Sequence, residues 1–359
     1  MDKQHPYAGL PGRSFWRTAV ADRNFLEITE LWDPKFNIDK GHKIATFGSC
    51  FAQHIGRALR ANGFTWLDTE PCPEGVPEAV AREYNYGIYT CRTGNIYTTS
   101  LLQQWVDWAT ERQTPPDEYW TSGGRFFDPF RPTIEPQGFG SIEELLASRR
   151  QTIHSLKLAI ESANVMVFTL GLTEGWINSQ HGYEYPICPG TTVGEFDASQ
   201  HAFRNLQFQQ VLSHLKTAID AMRSLNPKLR LLLTVSPVPL TATRSGHHVL
   251  VATMESKSIL RAVAGQLAAN RGFVDYFPSY EIINSAPFRG AFFEANQRSV
   301  SQAGVGHVMR TFFEGLTAKF AARPSDSPLA STGAGAELEG ASTDDPVCEE
   351  QLLSAFSPR

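Results

Sequence analysis

The chain has 359 residues, 42% of them hydrophobic and 19% charged, a balance that excludes disordered and fibrous classes and leaves a water-soluble globular protein. That length can bury a large core, as one big domain or two ordinary ones. A net charge of −5 gives no reason to expect nucleic acid or an anionic membrane as partner. No apolar run approaches the roughly 18–20 residues needed to span a bilayer.

In chain order, residues 1–40 are aromatic and proline-punctuated ("HPYAGLPGRSFW", "ELWDPKFNID") and read as a strap lying on the domain. Their start lacks the apolar h-region of a signal peptide. From Lys43 strands and helices alternate. "KIATF" is a short apolar strand; "FAQHIGRALRANGF" sets Phe51, Ile55, Ala58 and Leu59 on one helical face and stops at Gly63. "FTWLD" is a second strand. Residues 68–140 are an insertion rich in Pro, Gly, Trp and Tyr, with a helix near 99–111, expected to cap the active edge.

"SIEELLASRRQTIHSLKLAIESAN" opens with Ser141 and has Glu144 three residues on, a capping box, and feeds the apolar run "VMVFTLG". "AFRNLQFQQVLSHLKTAIDAMRSLNP" is a helix ended by Asn226-Pro227, followed by "LRLLLTVSPVPL". "TMESKSILRAVAGQLAANRG" is the next helix, with "FVDYF" after it, and a last helix runs from about Gln302 to Ala321. From about residue 323 the chain is small, polar and low in complexity, and is expected to be a disordered tail.

Continuous apolar strands alternating with helices imply an α/β fold: a buried parallel sheet of about five strands, near Ile44, Trp66, Val167, Leu232 and Val274, with helices on both faces. Ligands sit at the carboxyl ends of such strands. Four unusual clusters fall there: "GSC", "GLTEGW", "SPVPL" and "FPSYE". The five cysteines, Cys50, Cys72, Cys91, Cys188 and Cys348, form no CxxC pair, so neither a zinc site nor a disulfide framework is indicated. A cytoplasmic, reduced chain with no metal and no cofactor is expected.

Ser49 ends the first strand at the start of a helix, where free backbone N–H groups can hold an anion. Two readings stand side by side: a nucleophile whose own N–H serves as an oxyanion donor, and an ordinary helix cap. "GSC" lacks the spacing of a phosphate-binding loop. Cys50 beside it is a second nucleophile by type, and equally a packed small hydrophobe. Among ten histidines, His247 and His248 follow the fourth strand in a Gly-containing loop, His54 lies on the first helix, and His307 sits inside the last helix as a packing residue. Trp105, Trp108, Trp120, Trp176 and Tyr183 have the types to stack on sugar rings; the i, i+3 spacing of the first two favours core packing.

"GSCFA", residues 48–52, is the name-giving motif of the GSCFA family, whose members resemble SGNH/GDSL-type hydrolases. "HPY…LP…FW", "TLGLTEGW", "VSPVPL", "SKSILRAV" and "YFPSYE" are similar to that family too, so the resemblance runs over roughly residues 5–315. It implies a flavodoxin-like three-layer α/β/α fold and an esterase or acyltransferase site with Ser49 as nucleophile. Thr173 stands where the SGNH pattern has an oxyanion-binding Asn. Gly87 matches the second-block glycine, with Asn85 or Asn95 as a nearby side-chain donor.

The Asp-x-x-His element expected before the last helix is missing. "FFEANQRSVSQAG" offers only Glu294 as an acid, with Gln297 or Ser299 where a histidine is sought. His248 is then the preferred base and His54 the next. The expected substrate is a small-molecule or carbohydrate acyl ester. The alternative is a degenerate protein that keeps the pocket and has lost the base.

Overall fold

The computed structural model describes residues 5–321 and 346–357. Most of the stretch expected to be a disordered tail lies outside the described residues. The elements run β1 (Ile44–Gly48), α1 (Phe51–Ala61), α2 (Glu78–Glu83), α3 (Thr99–Ala109), β2 (Trp120–Ser122), β3 (Arg125–Phe127), α4 (Ile142–Ser162) and β4 (Val165–Leu170). They continue with β5 (Glu174–Asn178), β6 (Glu184–Tyr185), β7 (His201–Asn205), α5 (Phe208–Leu225), β8 (Arg230–Val235), α6 (Val249–Asn270), β9 (Val274–Tyr276), α7 (Ser279–Asn284) and α8 (Gln302–Phe320).

β1, β4, β8 and β9 form a four-stranded parallel sheet in that order. The strand expected at "FTWLD" shrinks to one parallel bridge, Ile44 to Trp66, outside β1. Trp66 Nε1 donates to Thr46 Oγ1 at 2.9 Å and holds that edge.

Every residue of β1 and β4 is buried, as continuous apolar strands require. Alternate side chains go to opposite faces. Ala45, Phe47, Met166, Phe168, Leu231 and Leu233 share a core with α3 to α6. Ile44, Val165, Val167 and Leu232 share the other with α1, α7 and α8, joined there by Ile28, Trp32 and Ile38 of the N-terminal stretch. The result is an α/β fold with helices covering both faces of the sheet.

Local sequence explains the helix ends. Ser141 Oγ accepts from the Glu144 N–H, while the Glu144 carboxylate reaches back to the Gly140 N–H at 2.8 Å. α5 stops before Asn226, whose side-chain amide donates to the carbonyls of Ile160 and Ala163 and ties two helix ends together. Trp105 and Trp108 are buried in the core on α3. Among the described residues, no helix is long and apolar enough to cross a membrane.

Candidate active site

Gly48 closes β1 with φ +124°, and a Cβ there would lie 2.2 Å from the Thr169 carbonyl oxygen of β4. Only glycine lets the two strands approach this closely while the chain turns out of the sheet. Ser49 follows at the carboxyl edge. Its N–H donates to Thr169 O at 3.0 Å, so that donor is committed to the sheet and not to an oxyanion. Its hydroxyl is buried and has no hydrogen-bond partner among the described residues. Ser49 Oγ therefore does not cap α1; the residue at the cap position is Cys50, which makes no side-chain cap either. At the start of α1 the Ala52 and Gln53 N–H groups donate to Ser49 O at 2.8 Å and Cys50 O at 3.1 Å, while those of Cys50 and Phe51 have no backbone acceptor among the described residues.

Three segments wall the serine. Asn95–Tyr97 runs beside it, with the Ile96 N–H donating to Gly48 O at 2.8 Å and Tyr97 O accepting from the N–H groups of Gly171 and Leu172. Gly171 presses against the turn: a Cβ on it would be 3.2 Å from Ser49 Cβ. Lys257 of α6 comes from below, 2% exposed, and its Nζ donates to Gly171 O at 2.6 Å. Burial pulls the Lys257 amine down to about 8, against the opposing pull of Glu350 and the Cys50 thiol.

The fourth wall is the segment 346–357, whose Glu349–Phe356 forms a 3₁₀ helix. The Cys348 and Cys50 thiols are neighbours, and each acts on the other: Cys50 is pushed up and Cys348 down. Arg298, from the loop searched for an Asp and a His, instead donates to the Glu350 carboxylate at 3.2 Å. Beside this segment lies a cleft of about 400 Å³ lined by Tyr97, Leu172, Trp176, Leu240 and, from the segment itself, Glu350 and Phe356; Ser49 does not line it. A separate cavity of about 980 Å³ lies around Glu118, Asp197 and His201, and Ser49 does not line it.

The residues singled out in the sequence are dispersed. His248 is exposed at the start of α6, its Nδ1 accepting from the Leu250 N–H at 3.2 Å. His54 rests on Phe51, and burial lowers its imidazole to about 4. Thr173 is buried with its hydroxyl donating to Asn205 Oδ1 at 2.6 Å. Asn85 donates to Thr133 O at 3.0 Å, and Gly87, φ +69°, sits half-buried two residues on. His307 is buried, stacked on Phe292 at 4.8 Å.

Lys257 and Arg298 carry no chemical signature in the sequence. Lys257 falls inside "SKSILRAV", where a lysine on an otherwise apolar helix face was the available signal.

A sequence model of the GSCFA family matches residues 43–312. No curated protein and no solved structure matches the chain.

Proposed function

The chain belongs to the GSCFA family, and on that premise we propose that it is an SGNH-like serine esterase or O-acyltransferase acting on a small-molecule or carbohydrate acyl ester. The observation that carries this reading is the Ser49 hydroxyl, which is buried at the carboxyl edge of the sheet, without a partner and without a capping duty. A buried polar group left unpaired lowers stability, and a catalytic role is one reason for such a group to be kept.

In the mechanism Ser49 Oγ attacks the acyl carbonyl and its proton passes to a base. Lys257 is the candidate whose burial suits it, because a lysine pulled to about 8 is partly neutral near neutral pH. His248 is the candidate that movement of the 241–248 loop would have to carry inward. The tetrahedral oxyanion is held by the Cys50 and Phe51 N–H groups, since those of Ala52 and Gln53 donate to Ser49 O and Cys50 O, and by the Asn95 amide. Asn85 and Thr173 spend their donors on Thr133 O and Asn205 Oδ1 and do not hold the oxyanion in this arrangement. As the ester C–O bond breaks, the base returns its proton to the leaving alkoxide, and water or a sugar hydroxyl takes the acyl group from Ser49.

A second reading, a binding protein without turnover, is favoured by the absence of any histidine bonded to Ser49 among the described residues. A fluorophosphonate probe and p-nitrophenyl acetate, applied to the full chain and to Glu349→Ala/Glu350→Ala, separate the two. Labelling lost in Ser49→Ala supports the enzyme. Turnover lost in Lys257→Met but kept in His248→Ala assigns the base to Lys257, and the reverse assigns it to His248. Neither labelling nor turnover in either protein between about pH 6 and 9 leaves the binding reading.

A further inference from the structure

The segment from Pro346 is held the way a ligand is held. Gln53 reads both backbone groups of Val347: its Oε1 accepts from the Val347 N–H at 3.0 Å and its Nε2 donates to Val347 O at 2.7 Å. Asn95 Nδ2 donates to the same carbonyl at 2.9 Å, and Gln53 Nε2 also donates to Asn95 Oδ1 at 3.1 Å.

The Glu349 side chain, 4% exposed, receives three neutral donors: Asn95 Nδ2, Tyr97 OH at 2.8 Å and Thr133 Oγ1 at 3.0 Å. The Glu350 carboxylate takes the Thr241 N–H at 2.7 Å and Arg298, with Lys257 in its field. Two adjacent carboxylates brought out of water are costly unless the receiving surface is built for them. Here every receiving group belongs to residues 53–298, far from the segment in sequence.

No residue of 346–357 belongs to either of the two large apolar cores. The segment thus rests on a surface made by Gln53, Asn95, Tyr97, Thr241 and Arg298 and lies outside both cores.

We propose that the cleft over Ser49 is a binding site for an acidic peptide segment, recognised through one residue's backbone and two carboxylates, and that Val347–Glu350 is its resident occupant. Ser49 is reached only when that segment leaves. This last consequence rests on the catalytic reading above; the occupancy does not. With the segment gone, Gln53, Asn95, Tyr97, Arg298 and Lys257 form a donor-rich wall beside Ser49. Such a wall takes a carboxylate-bearing peptide in trans. Tethering gives the resident segment an effective concentration on the order of mM, so a free peptide gains entry once the acids of the segment are removed.

Two thiol measurements test the occupancy without any catalytic readout. In the unaltered full chain, diamide should join Cys50 to Cys348, found by peptide mass spectrometry. The two thiols lose two electrons and two protons, the S–S bond forms, and diamide is reduced to its hydrazine. In Glu349→Ala/Glu350→Ala, alkylation of Cys50 by N-ethylmaleimide should be about tenfold faster or more, because two sets of charge-assisted bonds are gone.

A synthetic peptide of residues 346–357 carrying Cys348→Ser should slow that alkylation in the double variant, and the same peptide with both Glu→Gln should not. Absence of the Cys50–Cys348 link, or unchanged alkylation in the double variant, overturns the proposal. Equal protection by the two peptides overturns its acidic specificity. If the thiol results hold and Ser49 still fails to react with fluorophosphonate in the double variant, the catalytic reading falls and the occupancy stands.

Discussion

Gly48→Ala is the sharpest perturbation of the site's foundation. The new Cβ would meet Thr169 O at 2.2 Å, Thr169 N at 2.7 Å and Thr169 C at 2.8 Å, all main-chain atoms that no rotamer change can remove. Relief requires β1 and β4 to part at their carboxyl ends. That disturbs the Ser49 N–H to Thr169 O bond and the Ile96 N–H to Gly48 O bond. A φ of +124° is itself unfavourable for alanine, about 1–3 kcal/mol. Overpacking adds roughly another 1–3 kcal/mol, for a total of about 2–6 kcal/mol against an ordinary folding stability of about 5–15 kcal/mol.

Urea unfolding followed by tryptophan fluorescence should show the midpoint falling by on the order of 1 M. Gly272→Ala is the control: nothing lies within 4 Å of its Cβ position and its φ is not in the positive range, so a change within about 0.5 kcal/mol is expected. Equal midpoints for the two variants would refute the claim that close strand approach demands glycine at position 48.

The buried triad of Asp128, Arg131 and Arg149 gives a second prediction. The Asp128 carboxylate meets Arg131 at 2.8 Å and Arg149 at 2.9 Å, and all three side chains are at most 1% exposed. Asp128→Ala strands two guanidiniums and should cost about 3–5 kcal/mol, read by calorimetry as a fall in Tm on the order of 10 °C; a fall under about 2 °C would contradict it. The imidazoles of His54 and His307 are both lowered to about 4, mainly by burial. The unfolded chain therefore binds more protons between about pH 6.5 and 4, and stability should decline as pH falls through that window. His307→Phe, which keeps the stacking on Phe292, should make the decline shallower in urea midpoints measured at about pH 7 and 5; an identical decline would show that His307 does not titrate on unfolding. Lys257 is lowered in the same sense, so stability should rise with pH above about 8, and Lys257→Met should abolish that rise.

What the sequence determined by itself is the frame. Unbroken apolar runs at Ile44–Gly48, Val165–Leu170 and Arg230–Val235 can only be strands buried on both faces, because a half-exposed strand would alternate. Ser141, Asn226 and Gly48 act through their own main-chain neighbourhoods, so the sequence places the start of α4, the end of α5 and the active-edge turn within a residue or two; the starts of α5 and α6 fall further off, since residues 201–205 pair as β7 and α6 begins at Val249. The strand at Trp66 was overcounted, because a short aromatic run at a sheet edge needs only one bridge to be satisfied.

What only the tertiary structure decided is the company of Ser49. Lys257, Arg298 and Asn95 lie on different segments, and of the three only Asn95 is named from the sequence, through the family resemblance. Their roles come from burial and from the carbonyl or carboxylate that each meets across the fold. Whether Ser49 caps a helix or stands free depends likewise on whether its Oγ meets a backbone N–H donor. The clearest case is Cys348-Glu349-Glu350, which in sequence follows a low-complexity stretch and reads as solvated. Its acids become informative only once folding brings Gln53, Asn95, Tyr97 and Arg298 together, because recognition of a charge belongs to the surface that receives it.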